Sequence, residues 1–439
     1  MLPNPEAMNR NLLSFLLMIS VFLYSVTFFT TPFEGYISYF VYLLLLPILF
    51  FRYGINRETV LIFAPLLVAG VIYILRGDNT WPLFIKVFVG FFTSVLFYSY
   101  IVKLYNNDIK SLFRYYMIAA TVVSAIGIYQ IIMFWLGINF FGYNLAWFGL
   151  NKWTYTYGGL GIRINSVFSE PSYFGAVVAP AFFVALHNMV RRKKAFIGRT
   201  ASIIIIISYL LTFSSVAITG VFIAIIMLLL NYGLVRQAYI FAPLFYFSFS
   251  YAYNNLEEFR DRFDGTMDIF STPDVNTFDI HGSSFVLYNN YYIAKENFKR
   301  NPLFGTGLGS HPIAFDKYSL TKSSDVIQIT FNKADANSMF LRLLSETGLY
   351  GVIFIIYFLV RHYFWRGKSA DDENWIISNA LAIIIILYLL RQGHYFLNGF
   401  PFFLWLYYYT WKINREERKK LAEEQPDANN QPQTLLNEG

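Results

Sequence analysis

Twelve hydrophobic segments, each long enough to cross a lipid bilayer, are interrupted between the ninth and the tenth by a polar insert from about Tyr251 to Ala336. A membrane-spanning helix needs about 20 predominantly apolar residues. This pattern predicts an all-α polytopic membrane protein with about twelve transmembrane helices and one large extramembrane loop. We place the spans near residues 11–31, 35–51, 59–75, 82–102, 112–136, 172–190, 200–213, 215–231, 236–251, 337–360, 375–391 and 394–412.

The composition excludes a soluble globular protein. Hydrophobic residues make up 56% of the chain and charged residues 14%, whereas about 25% of the residues in soluble domains are charged. A chain without cysteine has neither disulfides nor thiolate chemistry. The net charge of +7 comes from Lys and Arg in short loops and near the C-terminus, which is typical of cytoplasmic loops and not of a nucleic-acid-binding surface.

The distribution of Lys and Arg also predicts the orientation of the chain. With a cytoplasmic N-terminus, most basic residues fall in inner loops, so we expect both termini inside and the insert outside. The seventh and eighth spans are short, and they form either a tight hairpin or one re-entrant pair. The chain then divides into nine helices in residues 1–251, an extracytoplasmic loop in 252–336, three helices in 337–413 and a polar cytoplasmic tail in 414–439, which we expect to be disordered.

A first candidate segment, Arg163 to Ser172, lies just before the sixth span. Pro171 suits the first turn of a helix, and Glu170 would then lie at the positive end of the helix dipole. Glu170 is thus either a fixed, ionised carboxylate with a catalytic role or a simple helix cap. Arg163 is either a functional cation or an ordinary loop charge.

A second segment, Asn301 to His311, lies inside the insert and carries alternating glycines at 305, 307 and 309. Glycine allows a tight turn and a close approach of the backbone to another group. The spacing differs from that of the dinucleotide-binding fingerprint. We favour a structural turn for these glycines.

Two further segments contain charges near the ends of spans. Arg342 and Glu346 stand four residues apart, so they share a helical face and are either functional or a self-contained ion pair. Arg391 and His394 lie between the last two spans, as part of an outer cavity or as interface anchors. The other histidines have no spacing that suits a metal, and we predict no metal site.

These motifs resemble those of the bacterial O-antigen polymerase and O-antigen ligase superfamily. The resemblance rests on Ser-Glu-Pro-Ser at 169–172, on Asn-Pro-Leu-Phe-Gly-Thr-Gly-Leu-Gly-Ser at 301–310, and on the Asn, Leu, Glu and Gly pattern at 337–351. It covers most of the chain, because the large loop before the tenth span is similar too. It implies a membrane glycosyltransferase of the GT-C-like type in the bacterial inner membrane, with a periplasmic active site.

The resemblance further implies an enzyme that transfers glycan from undecaprenyl diphosphate without a metal or another cofactor. Guanidinium groups would then neutralise the diphosphate, and a carboxylate or histidine would take the proton of the acceptor hydroxyl. The expected site also includes Ser169, Ser172, Asn337 and Glu346 as supporting residues. The candidates for the diphosphate are Arg163, Arg342 and Arg391 with Arg300 behind them, and those for the base are Glu170, then His311 and His394.

Three functions remain open at this point. A polymerase would use undecaprenyl-diphosphate-linked oligosaccharide as donor and acceptor within the membrane lipid, with or without a chain-length-regulating copolymerase. A ligase would transfer the glycan to lipid A core, but its branch of the superfamily has a catalytic histidine at the position of Asn337, which favours the polymerase. A transporter or flippase of lipid-linked glycans would show internal repeats and polar residues at mid-membrane depth, which we do not find.

Overall fold

The structure is a computed structural model that describes residues 10–29, 34–158, 161–192, 194–234, 282–320 and 332–423, together with isolated positions between 239 and 267. Helices dominate it, and two short antiparallel strands pair Tyr157 with Ile162. The strands are β1 (Tyr157–Gly158) and β2 (Gly161–Ile162). The helices are α1 (Arg10–Phe22), α2 (Ile37–Tyr53), α3 (Arg57–Leu75), α4 (Trp81–Leu104), α5 (Ile109–Trp135), α6 (Pro171–Arg191), α7 (Arg199–Leu210), α8 (Ser215–Asn231), α9 (Gly282–Arg300), α10 (His311–Tyr318), α11 (Met339–Glu346), α12 (Gly348–His362), α13 (Asp372–Arg391) and α14 (Phe400–Glu423).

This is an all-α membrane protein. Among the described residues, five helices are long and apolar enough to cross a membrane, namely α3, α4, α5, α6 and α13. Five shorter apolar helices accompany them, namely α1, α2, α7, α8 and α12. The predicted ninth span, 236–251, lies almost entirely outside the described residues, and the total of about twelve remains a prediction.

Helices α6 and α13 form the centre of the bundle. In each of them 78% of the most apolar stretch is buried, compared with 22% in the peripheral helix α3. Small residues make this packing possible, since a side chain on Gly175 of α6 would meet the backbone of Ala217 in α8 at 3.1 Å. Both α7 and α8 pack against α6. The site described below lies where α6 begins and α13 ends.

The predicted first span, 11–31, is wrong in its length. Helix α1 ends at Phe22, and the chain then forms an isolated bridge between Thr27 and Tyr36. The side chain of Asn151 explains the change, because it hydrogen-bonds both the backbone N–H and the carbonyl of Thr27. This contact from a distant loop satisfies the backbone outside a helix.

The predicted tenth span, 337–360, is wrong as a single helix. Helix α11 ends at Glu346 and α12 begins at Gly348, which has a φ of +59° that favours glycine. A Cβ at Gly348 would also lie 2.6 Å from the carbonyl oxygen of Pro302. The polar Arg342 and Glu346 therefore lie in a separate short helix.

The end of the chain also differs from the prediction. Helix α14 begins at Phe400 instead of residue 394 and continues to Glu423, although we expected disorder from residue 414. Asn414 and Glu417 anchor this extension, since Asn414 accepts a hydrogen bond from Ala370 N at 2.7 Å and Glu417 accepts one from Asn374 at 2.7 Å. Arg, Lys and Glu are also good helix formers. Residues 424–439 lie outside the described part of the chain.

Candidate functional site

A buried ion pair connects α11 to the segment after α13. Nε of Arg342 lies 3.0 Å from Oε1 of Glu346, and both side chains are at most 5% exposed. Arg342 also donates from Nη1 to the carbonyl of Gly393 at 2.9 Å, and Glu346 accepts from the Tyr395 hydroxyl at 3.0 Å. The guanidinium lies 4.5 Å from the centre of the Tyr395 ring. Arg342 and Glu346 thus form an ion pair, but the pair is not self-contained, because it also binds Gly393 and Tyr395.

His311 lies next to this ion pair and is fully buried. Its backbone N–H donates to Glu346 Oε1 at 3.3 Å, and its Nε2 lies 3.0 Å from Oδ1 of Asn290 on α9. Burial, together with the charge of Arg342, lowers the pKa of His311 to about 3. The imidazole is therefore neutral near pH 7, and among the described residues its Nδ1 has no hydrogen-bond partner.

The glycine-rich segment between α9 and α10 holds the broken helix in place. Gly307 N donates to the Glu346 carbonyl at 2.8 Å, and Leu349 N donates to Pro302 O at 2.8 Å. The segment thus satisfies backbone groups on both sides of the break, as irregular backbone in a membrane protein requires. Gly305 has a φ of +61°, and a Cβ there would overlap the backbone of Glu346. The glycines have the structural role that we favoured.

A mostly buried polar cluster lies beside the ion pair. Nε2 of His394 is 2.8 Å from Oδ2 of Asp335 and 3.1 Å from the hydroxyl of Tyr173 on α6. The His394 side chain is 23% exposed, while that of Asp335 is 8% exposed. With the Nε2 proton directed at the carboxylate, Nδ1 of His394 is left as a proton acceptor.

Asp335 is held in an ionised state by its neighbours. Burial alone would raise its pKa, but the charge that His394 carries once its ring is protonated in acid, together with its hydrogen bond, outweighs burial and holds the pKa well below its usual range. The side chain of Asn332 and the backbone N–H of Asn337 also donate to Oδ1, at 3.0 and 3.2 Å. We assigned no role to Asp335 from the sequence. The residue lies two positions before the 337–351 motif, and this proximity was the only indication in the sequence.

The start of α6 places Glu170 at the rim of this cluster. Glu170 is the exposed N-cap residue, and Pro171 opens the helix as predicted. The hydroxyl of Ser172 donates to Glu170 Oε2 at 3.2 Å. The carbonyl of Ser169 accepts from Thr154 N at 3.3 Å, which fixes the approach to the helix.

Two candidate arginines flank the turn between α7 and α8. Arg163 donates from Nε to the carbonyl of Thr212 at 3.1 Å, and Arg391 donates from Nη2 to the hydroxyl of Ser215 at 3.4 Å. Both side chains are partly exposed. Arg300 lies elsewhere, at the end of α9 and 5.4 Å from the centre of the Tyr318 ring. Arg163 and Arg391 therefore contact the same α7–α8 turn, and Arg391 lies three residues before His394 in the sequence.

An apolar crevice reaches Tyr395, the residue that follows His394. It has a volume of about 320 Å³ and lies between α3, α4, α12 and α14. Met339 and Tyr395 line it near the site, and His362 lines it at the far end of α12. Its lining is suited to a hydrocarbon chain.

Metal-ligand geometry and similarity to known proteins give no assignment for the described residues. Within the part of the chain that the structure describes, no group of three or more His, Asp or Glu side chains is arranged to hold a metal ion. No protein-family model matches the chain, and no curated protein matches it. A function therefore rests on the sequence motifs and on the geometry of the site.

Proposed function

We propose that the protein is a membrane glycosyltransferase that polymerises a surface polysaccharide from oligosaccharide repeats linked to undecaprenyl diphosphate. The contact of His394 with Asp335 and Tyr173 carries the proposal. It unites in one polar site three segments that are far apart in the sequence, namely the start of α6, the start of α11 and the end of α13. The glycine-rich motif supports that site through its contacts with α11 and α12.

The reaction requires a base at the acceptor hydroxyl. A new bond forms between the anomeric carbon of the donor and the acceptor oxygen, the bond from that carbon to the phosphate oxygen breaks, and undecaprenyl diphosphate leaves. The hydroxyl proton passes to the base. His394 suits this role because Asp335 holds its Nε2 and leaves Nδ1 to accept the proton. Glu170, our first choice from the sequence, is the alternative base at the same rim.

The leaving diphosphate requires positive charge. Arg163 and Arg391 are partly exposed and contact the same short turn, so we assign them to the diphosphate. Arg342 is buried against Glu346 and acts instead as a positioning residue, since it binds the carbonyl of Gly393 next to His394. We do not assign Arg300 to the diphosphate, because its guanidinium lies against the Tyr318 ring at the end of α9.

The apolar crevice is the proposed binding site for the isoprenoid chain of the substrate. The apolar crevice reaches Tyr395, the residue after His394, and its apolar lining suits an isoprenoid chain. We extend the proposal to the expected architecture, a GT-C-like bundle of about twelve spans in the bacterial inner membrane. The distribution of Lys and Arg supports cytoplasmic termini and a periplasmic site.

One observation favours the ligase as a second candidate. The ligase alternative calls for an essential extracytoplasmic histidine, and His394 is a histidine oriented by a carboxylate. Asn337 lies beside the same carboxylate through its backbone N–H. The two functions share a donor, so they differ in the acceptor and not in the chemistry of the site.

Deletion of the gene distinguishes the two functions. We expect the surface lipopolysaccharide of the deletion strain to collapse from a ladder to core plus a single repeat, because ligation stays intact. Complementation with wild type should restore the ladder, and complementation with His394→Gln should not. Complete loss of glycan from the core, with long chains still on the polyprenyl carrier, would contradict the polymerase and support the ligase. An unchanged ladder would contradict both.

A further inference from the structure

The loop that follows α5 exposes an unusual amount of apolar surface. No Asp, Glu, Lys or Arg stands between Arg114 and Lys152. Six large side chains in residues 136–150, which we call the aromatic segment, expose between 45% and 63% of their surface. They are Leu136, Ile138, Phe140, Phe141, Trp147 and Phe148. Contiguous exposed patches of this kind mark a surface that binds another apolar phase.

The rings of the aromatic segment pack against one another. The ring centres of Phe140 and Phe141 are 4.3 Å apart, those of Phe140 and Trp147 are 4.7 Å apart, and those of Phe141 and Phe148 are 5.2 Å apart. The cluster therefore forms a compact wedge on the surface of the molecule.

The backbone of the segment satisfies many of its own polar groups. Tyr143 N donates to Ile138 O at 3.0 Å, and Gly149 N donates to Ala146 O at 3.1 Å. The hydroxyl of Tyr129 on α5 donates to the carbonyl of Phe141 at 2.6 Å. An irregular segment with such pairing tolerates the bilayer interface, whereas lipid-exposed irregular backbone does not occur in the hydrocarbon core.

The segment continues an exposed apolar stripe of α5. Ile118, Val122, Tyr129 and Ile132 are exposed at helical spacing on this candidate membrane span, and the stripe leads through Trp135 into the aromatic segment. Apolar side chains that are exposed on a membrane-spanning helix are expected to contact lipid. The aromatic segment is thus the extension of a lipid-facing surface beyond the end of the helix.

We propose that the aromatic segment is inserted into the interface of the lipid bilayer, at the level of the headgroups and the upper acyl chains. Tyr and Trp favour this depth because their rings are amphipathic, and the lack of charge removes the cost of burying an ion there. A water-facing role would leave six large apolar side chains hydrated. This inference does not depend on the proposed catalytic activity.

The insertion would also fix the depth of the candidate site. Lys152 ends the uncharged run and pairs with Glu34, so the boundary with water lies at this residue. Directly after it, the indole N–H of Trp153 donates to Ser166 O at 2.8 Å. Ser166 belongs to the segment that carries Arg163 and Glu170. The wedge would therefore hold these two residues at the height of lipid headgroups.

Site-directed spin labelling tests this inference, because the chain contains no cysteine to be removed. We would introduce Phe141→Cys and Trp147→Cys separately, attach a nitroxide and reconstitute each protein in vesicles of phosphatidylethanolamine and phosphatidylglycerol. Val122→Cys provides the lipid-facing control on α5, and Thr156→Cys provides the exposed control past Lys152. The readout is the collision rate of the nitroxide with oxygen relative to a water-soluble nickel chelate.

The inference predicts that the labels at 141 and 147 give an intermediate ratio, above that at Thr156 and below that at Val122, which lies in the middle of the span α5. Ratios equal to that at Thr156 would overturn it, because the wedge would then face water. Labels that are immobilised and shielded from both reagents would also overturn it, because a protein or a second copy of the chain would then cover the wedge. Two label positions guard against a local folding defect at either one.

Discussion

Nε2 of His394 lies 2.8 Å from Oδ2 of Asp335, so an imidazole after α13 is oriented by a carboxylate just before α11. Gly393 makes this approach possible, since a Cβ there would overlap the backbone of Asp335. A carboxylate that holds one ring nitrogen fixes the orientation and tautomer of the other, which is a common arrangement for a catalytic histidine.

Replacing either member of this pair should lower polymer formation. We expect His394→Gln to reduce it by about 10²- to 10⁴-fold, because a general base is lost. Asp335→Asn should reduce it by at least about tenfold, because the imidazole loses its orientation. The matched control is Asp316→Asn, which makes the same change at an exposed carboxylate on α10. Activity of Asp335→Asn equal to that of the control, at equal protein levels, would contradict the role of the pair.

The arginines at the α7–α8 turn should control the use of the lipid-linked donor. Arg163→Ala and Arg391→Ala should each lower kcat/KM by about 10- to 100-fold, because a charge-assisted contact to the diphosphate is removed. Arg199→Ala, at the other end of α7, provides the control. Initial rates with purified donor measure the effect. Unchanged rates in both variants would remove these residues from the diphosphate site.

Breaking the buried ion pair should destabilise the fold. Glu346→Gln leaves the buried charge of Arg342 uncompensated, which costs about 3–5 kcal/mol. Glu296→Gln, in the surface pair with Lys299, should leave the melting temperature in detergent almost unchanged. The double variant Arg342→Met with Glu346→Leu should recover stability relative to Glu346→Gln. A double variant that melts below Glu346→Gln would argue against this account of the pair.

A side chain at Gly305 should disrupt the contact between the glycine-rich segment and the end of α11. Gly305→Ala places a Cβ at a positive φ, at a cost of about 1–2 kcal/mol, and also forces it into the backbone of Glu346. Gly367→Ala is the matched control, because a Cβ there meets nothing within 4 Å. We expect the yield of monodisperse protein to fall for Gly305→Ala alone. Equal yields and equal melting temperatures would show that the loop can move away.

Acid should destabilise the protein in a defined range. Burial and Arg342 lower the pKa of His311 to about 3, and the pKa of Asp335 is also lowered. Both groups bind protons more readily in the unfolded chain. The stability from His311 is present above about pH 6.5 and is lost as the pH falls towards 3, whereas the stability from Asp335 is lost only below about pH 4. The variant His311→Gln should lose less stability between pH 6.5 and 4 than wild type. Parallel pH profiles of the melting temperature would contradict this.

The long spans could be predicted closely because uninterrupted apolar runs define them. The predicted spans 59–75, 82–102, 112–136, 172–190 and 375–391 agree with α3, α4, α5, α6 and α13 to within about three residues at each end. The break at Thr347 was missed, although the polar Ser-Glu-Thr-Gly run at 345–348 interrupts the apolar sequence there. The break depends on hydrogen bonds from the glycine-rich segment, which is distant in the chain.

Only part of the site could be predicted from the sequence, because the site also depends on contacts between distant segments. Motifs located Glu170, Arg342 and His394, but periodicity carries no information about which of them meet in space. The contact of His394 with Asp335 depends on the packing of α6, α11 and α13, and so does the burial that commits Arg342 to Glu346. Asp335 was missed because a single carboxylate before an apolar run has no distinctive spacing.

Reconstitution with a defined substrate tests the proposed function most directly. The purified protein in vesicles would be given one undecaprenyl-diphosphate-linked repeat unit in the presence of EDTA, and the glycan length on the carrier would be followed by mass spectrometry. The proposal predicts chains of two, three and more repeats with one undecaprenyl diphosphate released per bond, and no extension with His394→Gln. Carrier-linked glycan that never exceeds one repeat, with transfer seen only after lipid A core is added, would contradict the polymerase.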